Sequence, residues 1–250
     1  LLLRIGVHLL LSPALAGVWI ERTKQVRSVC LVFLLLLRSL RVDVRRRIAF
    51  LGRSVARGRG ILHLDVVHLG GDAVAAVVRL LDLAKLRVGN EHYATTNKSF
   101  GATTLRRRHL DIAGRKLMLR YRAKSGKEQQ LAVTDTRLLR FVRQVQDLPG
   151  QHLFQYLDED GDARPISSSD VNAYIAEAMG APFTAKHFRT WGASVIAFEQ
   201  LAAGPVSLKA MIAPVAEALG NTPAISRKSY IHPALIALCK EGQEEWRAGL

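Results

Sequence analysis

Residues 109–133, HLDIAGRKLMLRYRAKSGKEQQLAV, constrain the fold more than any other stretch, because here the apolar period is two. Leu117, Leu119 and Tyr121 alternate with Met118 and Arg120, the pattern of a half-buried strand. Turn residues in IAGR and AKSGK interrupt it twice. The segment therefore predicts strand, turn, strand, turn, strand, a three-stranded antiparallel sheet with Lys124 at the tip of its second hairpin. On both sides the period becomes helical. In GGDAVAAVVRLLDLAKLRVGN, Asp72 is a candidate N-cap, Val74, Val77, Val78 and Leu81 share a face, and Gly89 lies past the end, so a buried helix delivers Arg87 at its exit. TDTRLLRFVRQVQDL starts at a Thr/Asp cap and keeps Leu138, Leu139, Val142 and Val145 on one stripe. SSSDVNAYIAEAMG, TAKHFRTWGASVIAFEQLAAG and PVSLKAMIAPVAEALG predict three more helices, stopped near Gly180, Gly204 and Gly220. The fold class is α+β: mainly helical, with one inserted three-stranded antiparallel sheet.

Residues 1–60 read as a separate, atypical unit, and 61–250 as the main domain. The first sixty hold 12 basic and 2 acidic side chains, against 24 and 19 in the rest. RSLRVDVRRRIAFLGRSVARGRG predicts a basic amphipathic helix, with Leu40, Val44, Ile48 and Leu51 at helical spacing, ended by Gly58 and Gly60. LLLRIGVHLLLSPALAGVWI is interrupted by Arg4, His8 and Pro13, and CLVFLLLL is short against the roughly 20 apolar residues that a bilayer span needs. Buried packing is the expectation for both, and a membrane is not an expected partner. The formal charge of +15 points to polyanions, nucleic acid before anionic lipid.

Several chemistries lack their residues. Cys30 and Cys239 stand far apart with no C-x-x-C partner, which predicts a reducing compartment with neither disulfide nor zinc site. The eight histidines have no metal-ligand spacing, and no phosphate-binding G-x-x-x-x-G-K-[ST] loop occurs, so neither a metal nor a nucleotide cofactor is expected. The acidic stretch DEDGDA, from Asp158, lacks the closing Glu of a calcium loop and reads as a solvated turn.

What remains is an ordered set of cations ahead of one phenol. Singly they are ordinary: Arg87 a helix-end charge, Lys124 a solvated hairpin lysine, Arg189 in KHFRTWG a carboxylate partner. Together, in LRVGN, RAKSGKE, KHFRTWGAS and LGNTPAISRKSY, the series Arg87, Lys124, Arg189, Asn221 and Tyr230 resembles the type IB DNA topoisomerases, specifically their compact bacterial and poxvirus-like branch, and more distantly the tyrosine recombinases. The resemblance covers about residues 72–240. It implies a DNA breaking-rejoining domain in which Tyr230 is the nucleophile, Arg87 and Arg189 hold the nonbridging phosphate oxygens, and Lys124 is the general acid. Asn221 stands where many members carry histidine and would donate a neutral hydrogen bond. Tyr93 and Lys186 match positions that touch DNA near the cleavage site, and Arg106 and Lys127 are added as basic DNA-binding candidates; Arg106, Arg107 and Arg108 read equally as phosphate ligands or a solvated charge run, and SSSD equally as a phosphate site or a plain helix cap.

The function so implied is relaxation of supercoiled double-stranded DNA through a 3′-phosphotyrosyl intermediate, without ATP or metal, by a monomer in the bacterial cytoplasm at the nucleoid. The alternatives are a site-specific tyrosine recombinase, which usually carries His where this chain has Lys186, and a non-enzymatic DNA-binding protein. Residues 1–60 depart from the branch, whose small N-terminal domain is rich in strands, and their Leu/Arg bias fits a shifted reading frame or a divergent replacement.

Overall fold

In the computed structural model the described residues are 64–248, so the boundary near residue 60 and the basic helix expected before it lie outside them. The long helix α1, Leu64–Ala84, is followed by the short α2, Glu91–Thr96, and then by the sheet, β1 Leu110–Ala113, β2 Lys116–Arg122 and β3 Glu128–Val133. Next come α3, Thr136–Val145, a two-stranded hairpin of β4 Gln155–Leu157 and β5 Ala163–Pro165, and α4, Ser168–Met179. The chain continues through α5 Ala185–Ala203, α6 Leu208–Leu219, α7 Pro223–Ser229, α8 Pro233–Lys240 and α9 Gln243–Ala248.

The sheet is antiparallel in the order β1-β2-β3, with Leu119 opposite Leu110 on one side and Leu131 on the other. Along β2 the alternation behaves as its period demands: Leu117, Leu119 and Tyr121 are buried, while Lys116, Arg120 and Arg122 are exposed. The buried face packs into an apolar cluster with Val77, Leu80 and Leu81 of α1 and Leu138 and Val142 of α3. Asp135 fixes the start of α3. One carboxylate oxygen caps the amides of Arg137 and Leu138, and the other accepts from Arg79 of α1 at 2.8 Å.

Two expectations need correction, and a third, the solvated acidic turn, holds but gains flanking strands. Asp72 is not an N-cap, because α1 starts at Leu64 and runs straight through it. That helix ends at Ala84 rather than near Gly89, since Lys85 adopts the left-handed region at φ 53°. The acidic stretch is the turn of an unexpected hairpin: Asp158 accepts from the amides of Asp160 and Asp162 and from Arg164, which holds β4 against β5. SSSD is a capping box, with Ser167 and Asp170 each accepting the other's amide.

A second apolar cluster gathers Ala197 and Leu201 of α5, Met211, Val215 and Leu219 of α6, Ile231, Cys239 and Trp246. Helix α5 belongs to both: Ala185 and Phe188 in its first turns enter the first cluster, and from Ala193 onward it enters the second. Arg189 sits at the junction, 4% exposed.

Candidate active site

Arg87 is held by backbone rather than by its own packing. After Lys85 turns out of α1, the Arg87 carbonyl accepts from the Ala102 amide at 2.9 Å, and that of Val88 from Thr103 at 2.7 Å. This ribbon needs bare backbone at Gly101, where a Cβ would stand 2.6 Å from the Arg87 carbonyl oxygen and from Gly89 Cα. Asn221 comes from the other side of the site. Gly220 ends α6 at φ 61°, its amide bonding to Glu217, while the Asn221 amide reaches back to Ala216 at 2.9 Å. That pair of bonds is a Schellman motif, and it aims Asn221 back across the helix end. Its Oδ1 accepts from Arg87 Nη2 at 2.6 Å.

Arg189 ties the two arms together. Its Nη1 donates to the Lys85 carbonyl, two residues before Arg87, and its Nη2 to the Leu219 carbonyl at 2.9 Å, two residues before Asn221. The planar fork of arginine permits both bonds at once, a geometry that lysine lacks. Tyr230 closes the arrangement as the C-cap of α7, a helix started by Thr222 with Pro223 at its first position; the Tyr230 amide bonds to Ser226 at 3.2 Å. The Arg189 guanidinium carbon lies 5.1 Å from the centroid of the Tyr230 ring.

Two phenols lie under the same cations with opposite results. Burial pushes Tyr121 up to about 12, and the charges of Arg189 and Arg87 do not reverse it. Burial also opposes ionisation of Tyr230, but there the hydrogen bonding and charge of Arg189, with Arg87 and Lys186, outweigh it and hold the phenol below its ordinary range. Arg189 is itself eased downward, first by burial and then by Arg87. Among the described residues, the buried side-chain polar atoms with no partner are Arg189 Nε, Asn221 Nδ2 and Ser226 Oγ. The first two are donors on the two residues that bond to the Arg87 arm, and the third lies one turn before Tyr230.

The candidate residues do not all meet. Arg87, Lys124, Arg189 and Tyr230 line one open cleft of about 580 Å³, with Tyr93 and Lys186 on its wall. Lys124 and Ser125 stand at its lip on the β2–β3 hairpin, where Ser125 takes φ 64°. Tyr93 is 57% exposed, the most exposed large apolar side chain together with Ile225 among the described residues. Lys127 lies on the sheet side, in an adjoining cavity that also reaches Arg87, Lys124 and Arg189. Asn221 lines neither cavity, and neither does Arg106. Its guanidinium is bound by the Glu91 carboxylate of α2 and by His152, and only 15% of its side chain is exposed. Arg107 donates to the carbonyls of Val145 and Leu148 at the end of α3, and Arg108 lies over the Phe100 ring at 5.9 Å. Arg106 and Arg107 are thus engaged within the fold, whereas Arg108 is exposed. Gly101 and the carbonyls of Lys85 and Leu219, all central to the arrangement, carry no side-chain signal that the sequence reading could have used.

Residues 68–232 match the family described as eukaryotic DNA topoisomerase I, catalytic core. A protein named DNA topoisomerase 1B from Acanthamoeba polyphaga mimivirus is 30% identical, the match covering 68% of this chain and 56% of that one. Two solved structures of the XerH site-specific recombinase bound to difH substrates, post-cleavage and pre-cleavage, are each 14% identical, with TM-scores of 0.46 and 0.44. Each of these covers 66% of this chain and 43% or 44% of its own. This chain spans about half the length of the relatives it matches. Since the family match takes in more than half of the chain, from within α1 to just beyond Tyr230, the protein belongs to the DNA topoisomerase I catalytic-core family.

Proposed function

We propose that this chain relaxes supercoiled duplex DNA by cutting and resealing one strand through Tyr230. The observation that carries the reading is the coincidence of two buried, unpartnered donors, Arg189 Nε and Asn221 Nδ2, with a phenol held below its ordinary pKa. A buried donor without an acceptor costs about 1–3 kcal/mol, and a phosphate oxygen would satisfy both.

In this scheme the Tyr230 oxygen attacks the phosphorus of a backbone diester and the bond to the 5′ oxygen breaks. The phenolic proton leaves to solvent as attack proceeds, and Lys124 gives a proton to the departing 5′ oxygen as general acid. Arg87 and Arg189 bind the nonbridging oxygens as negative charge gathers on them, with Asn221 orienting Arg87 through Oδ1 and donating through Nδ2. The phosphotyrosyl ester keeps the energy of the broken diester. The cut strand turns about its partner, driven by torsion, and the 5′ hydroxyl then reverses the step. Each charge in the scheme comes from a side chain, so the reaction is expected to proceed without ATP or metal. Tyr93 and Lys186 would contact the duplex beside the cleft, and the protein is expected to work as a monomer on nucleoid DNA. Among the described residues no helix is long and apolar enough to cross a membrane.

The test is incubation of the protein with supercoiled plasmid in EDTA, with Tyr230→Phe as control. Relaxation and an SDS-stable protein–DNA adduct from the wild type alone support the reading. Equal behaviour of the two proteins removes it, and relaxation that requires paired target sites would point to recombination instead.

A further inference from the structure

We propose that Lys85 and Gly192 form a positioning pair that sets the separation of Arg87 and Arg189. The proposal rests on the strand-cleaving reading above and names two residues which that reading does not use. Lys85 leaves α1 at φ 53°, a region that side-chain-bearing residues rarely occupy. Its amide still bonds to the Leu81 carbonyl at 2.9 Å, so the helix closes normally, while its own carbonyl accepts from Arg189.

The Lys85 side chain lies along α5. A Cβ built on Gly192 would stand 2.7 Å from Lys85 Cε, 2.8 Å from Cδ and 2.9 Å from Cγ. Three successive methylenes inside contact distance mean that the stem occupies the notch along its length, not merely at its flexible tip. Cγ is one bond from Cβ, so clearing it takes a different rotamer or a shift of the Lys85 backbone. Glycine within a helix is otherwise unfavourable relative to alanine, and Gly192 lies well inside α5. The stem supplies a reason for it.

The contact bears on both arginines. Gly192 follows Arg189 by three positions, which sets notch and guanidinium on one face of α5. Lys85 precedes Arg87 by two. Any widening of the notch contact therefore lengthens the Arg189 bond to the Lys85 carbonyl and carries the Arg87 ribbon away from Tyr230. Neither residue touches the reacting atoms. The pair acts through steric fit, and the Lys85 ammonium has no part in it.

The test uses the full chain. Gly192→Ala is expected to slow relaxation at enzyme excess by about 10–100-fold, the cost of displacing catalytic groups by roughly 1 Å, and to lower the melting temperature although alanine favours helix. Lys85→Gly removes the stem and accepts positive φ freely. Combined with Gly192→Ala it is expected to return rate and melting temperature to within about threefold and a few degrees of wild type, a coupling that a double-mutant cycle reads directly. Gly192→Ala relaxing at the wild-type rate overturns the proposal, as does a folded double variant no faster than Gly192→Ala. Should Gly192→Ala fail to fold, the double variant decides alone: folded and active supports the pair, while unfolded, or folded and slow, refutes it. If the wild type relaxes nothing, the strand-cleaving reading has failed, and the melting temperatures still report whether the steric pair exists.

Discussion

Asn221→Asp changes one atom group at the centre of the site without changing its shape. Oδ1 would stay 2.6 Å from Arg87 Nη2, and the new oxygen would replace the Nδ2 donor that is buried without an acceptor. Two penalties follow. A donor to the phosphate is lost, and a full negative charge faces the anion that the site must bind. Two like charges about 4 Å apart interact by ~4 kcal/mol at an effective dielectric of about 20. Partial compensation by Arg87 leaves roughly 3–4 kcal/mol, or about a 100- to 1,000-fold slower cleavage. Folding is expected to change little, since the new pair with Arg87 offsets part of the cost of burying the charge. The assay is the decay of plasmid supercoils at enzyme excess, with Asn221→Ala as the uncharged control. Arg87 would hold the new carboxyl below its ordinary range of about 4, so acidification to about pH 5 restores nothing. Asn221→Asp relaxing as fast as Asn221→Ala would mean that no phosphate approaches this group, and the assignment of Asn221 and Arg87 would fall.

Three further outcomes are expected. Arg189→Lys keeps the positive charge but gives up the fork that bonds the Lys85 and Leu219 carbonyls and the hydrogen bonding that helps lower Tyr230, so the rate falls by about 100-fold and its alkaline inflection moves up toward the phenol value of about 10; an unmoved inflection refutes the coupling. His109 is lowered to about 4, by burial first and then by Arg108 and Arg106, so the unfolded chain binds its proton between about pH 6.5 and 4 while the folded one does not. Stability therefore drops as pH falls through that window, by on the order of 2–3 kcal/mol, and His109→Gln flattens this part of the melting curve; an equally steep acid loss in the variant counts against it. Arg106→Ala frees α2 and Tyr93 from the Glu91 and His152 tether, so duplex affinity falls while its salt slope is kept; a slope reduced by about one would make Arg106 a phosphate ligand after all.

The parts of this protein that were legible beforehand are those where one residue's character decides its local geometry. Period-two alternation at Leu117, Leu119 and Tyr121, the Asp135 cap and the glycines after α4 and α6 act within a few residues, and each appears where expected. The end of α1 escaped because Lys85 takes a conformation expected of glycine, and the bonds that hold it there come from Arg189, 104 positions away. Arg106 reads as a free cation for the same reason: Glu91 and His152 reach it through tertiary packing. The β4–β5 hairpin was hidden because its strands are three residues each and its turn is acidic, so composition spoke for solvent before pattern could speak for pairing. The grouping of Arg87, Asn221 and Tyr230 depends on where two helix ends meet, which spacing along the chain does not encode.

Because α5 runs through both apolar clusters, Tyr230 and Arg87 are housed in different compartments of the molecule, with Arg189 between them. Tyr230 packs with Ile231, Met211 and Val215, whereas the residues around Arg87 and the Lys124 hairpin pack with α1 and the sheet. Loosening of the C-terminal compartment alone, for instance at the edge-to-face contact of Trp246 with Phe198 at 5.6 Å, would unseat the phenol and the Leu219 and Asn221 bonds, while Arg87 kept its backbone ribbon and Lys124 its hairpin. On the strand-cutting proposal, gentle denaturation should therefore silence the protein before it lets go of DNA.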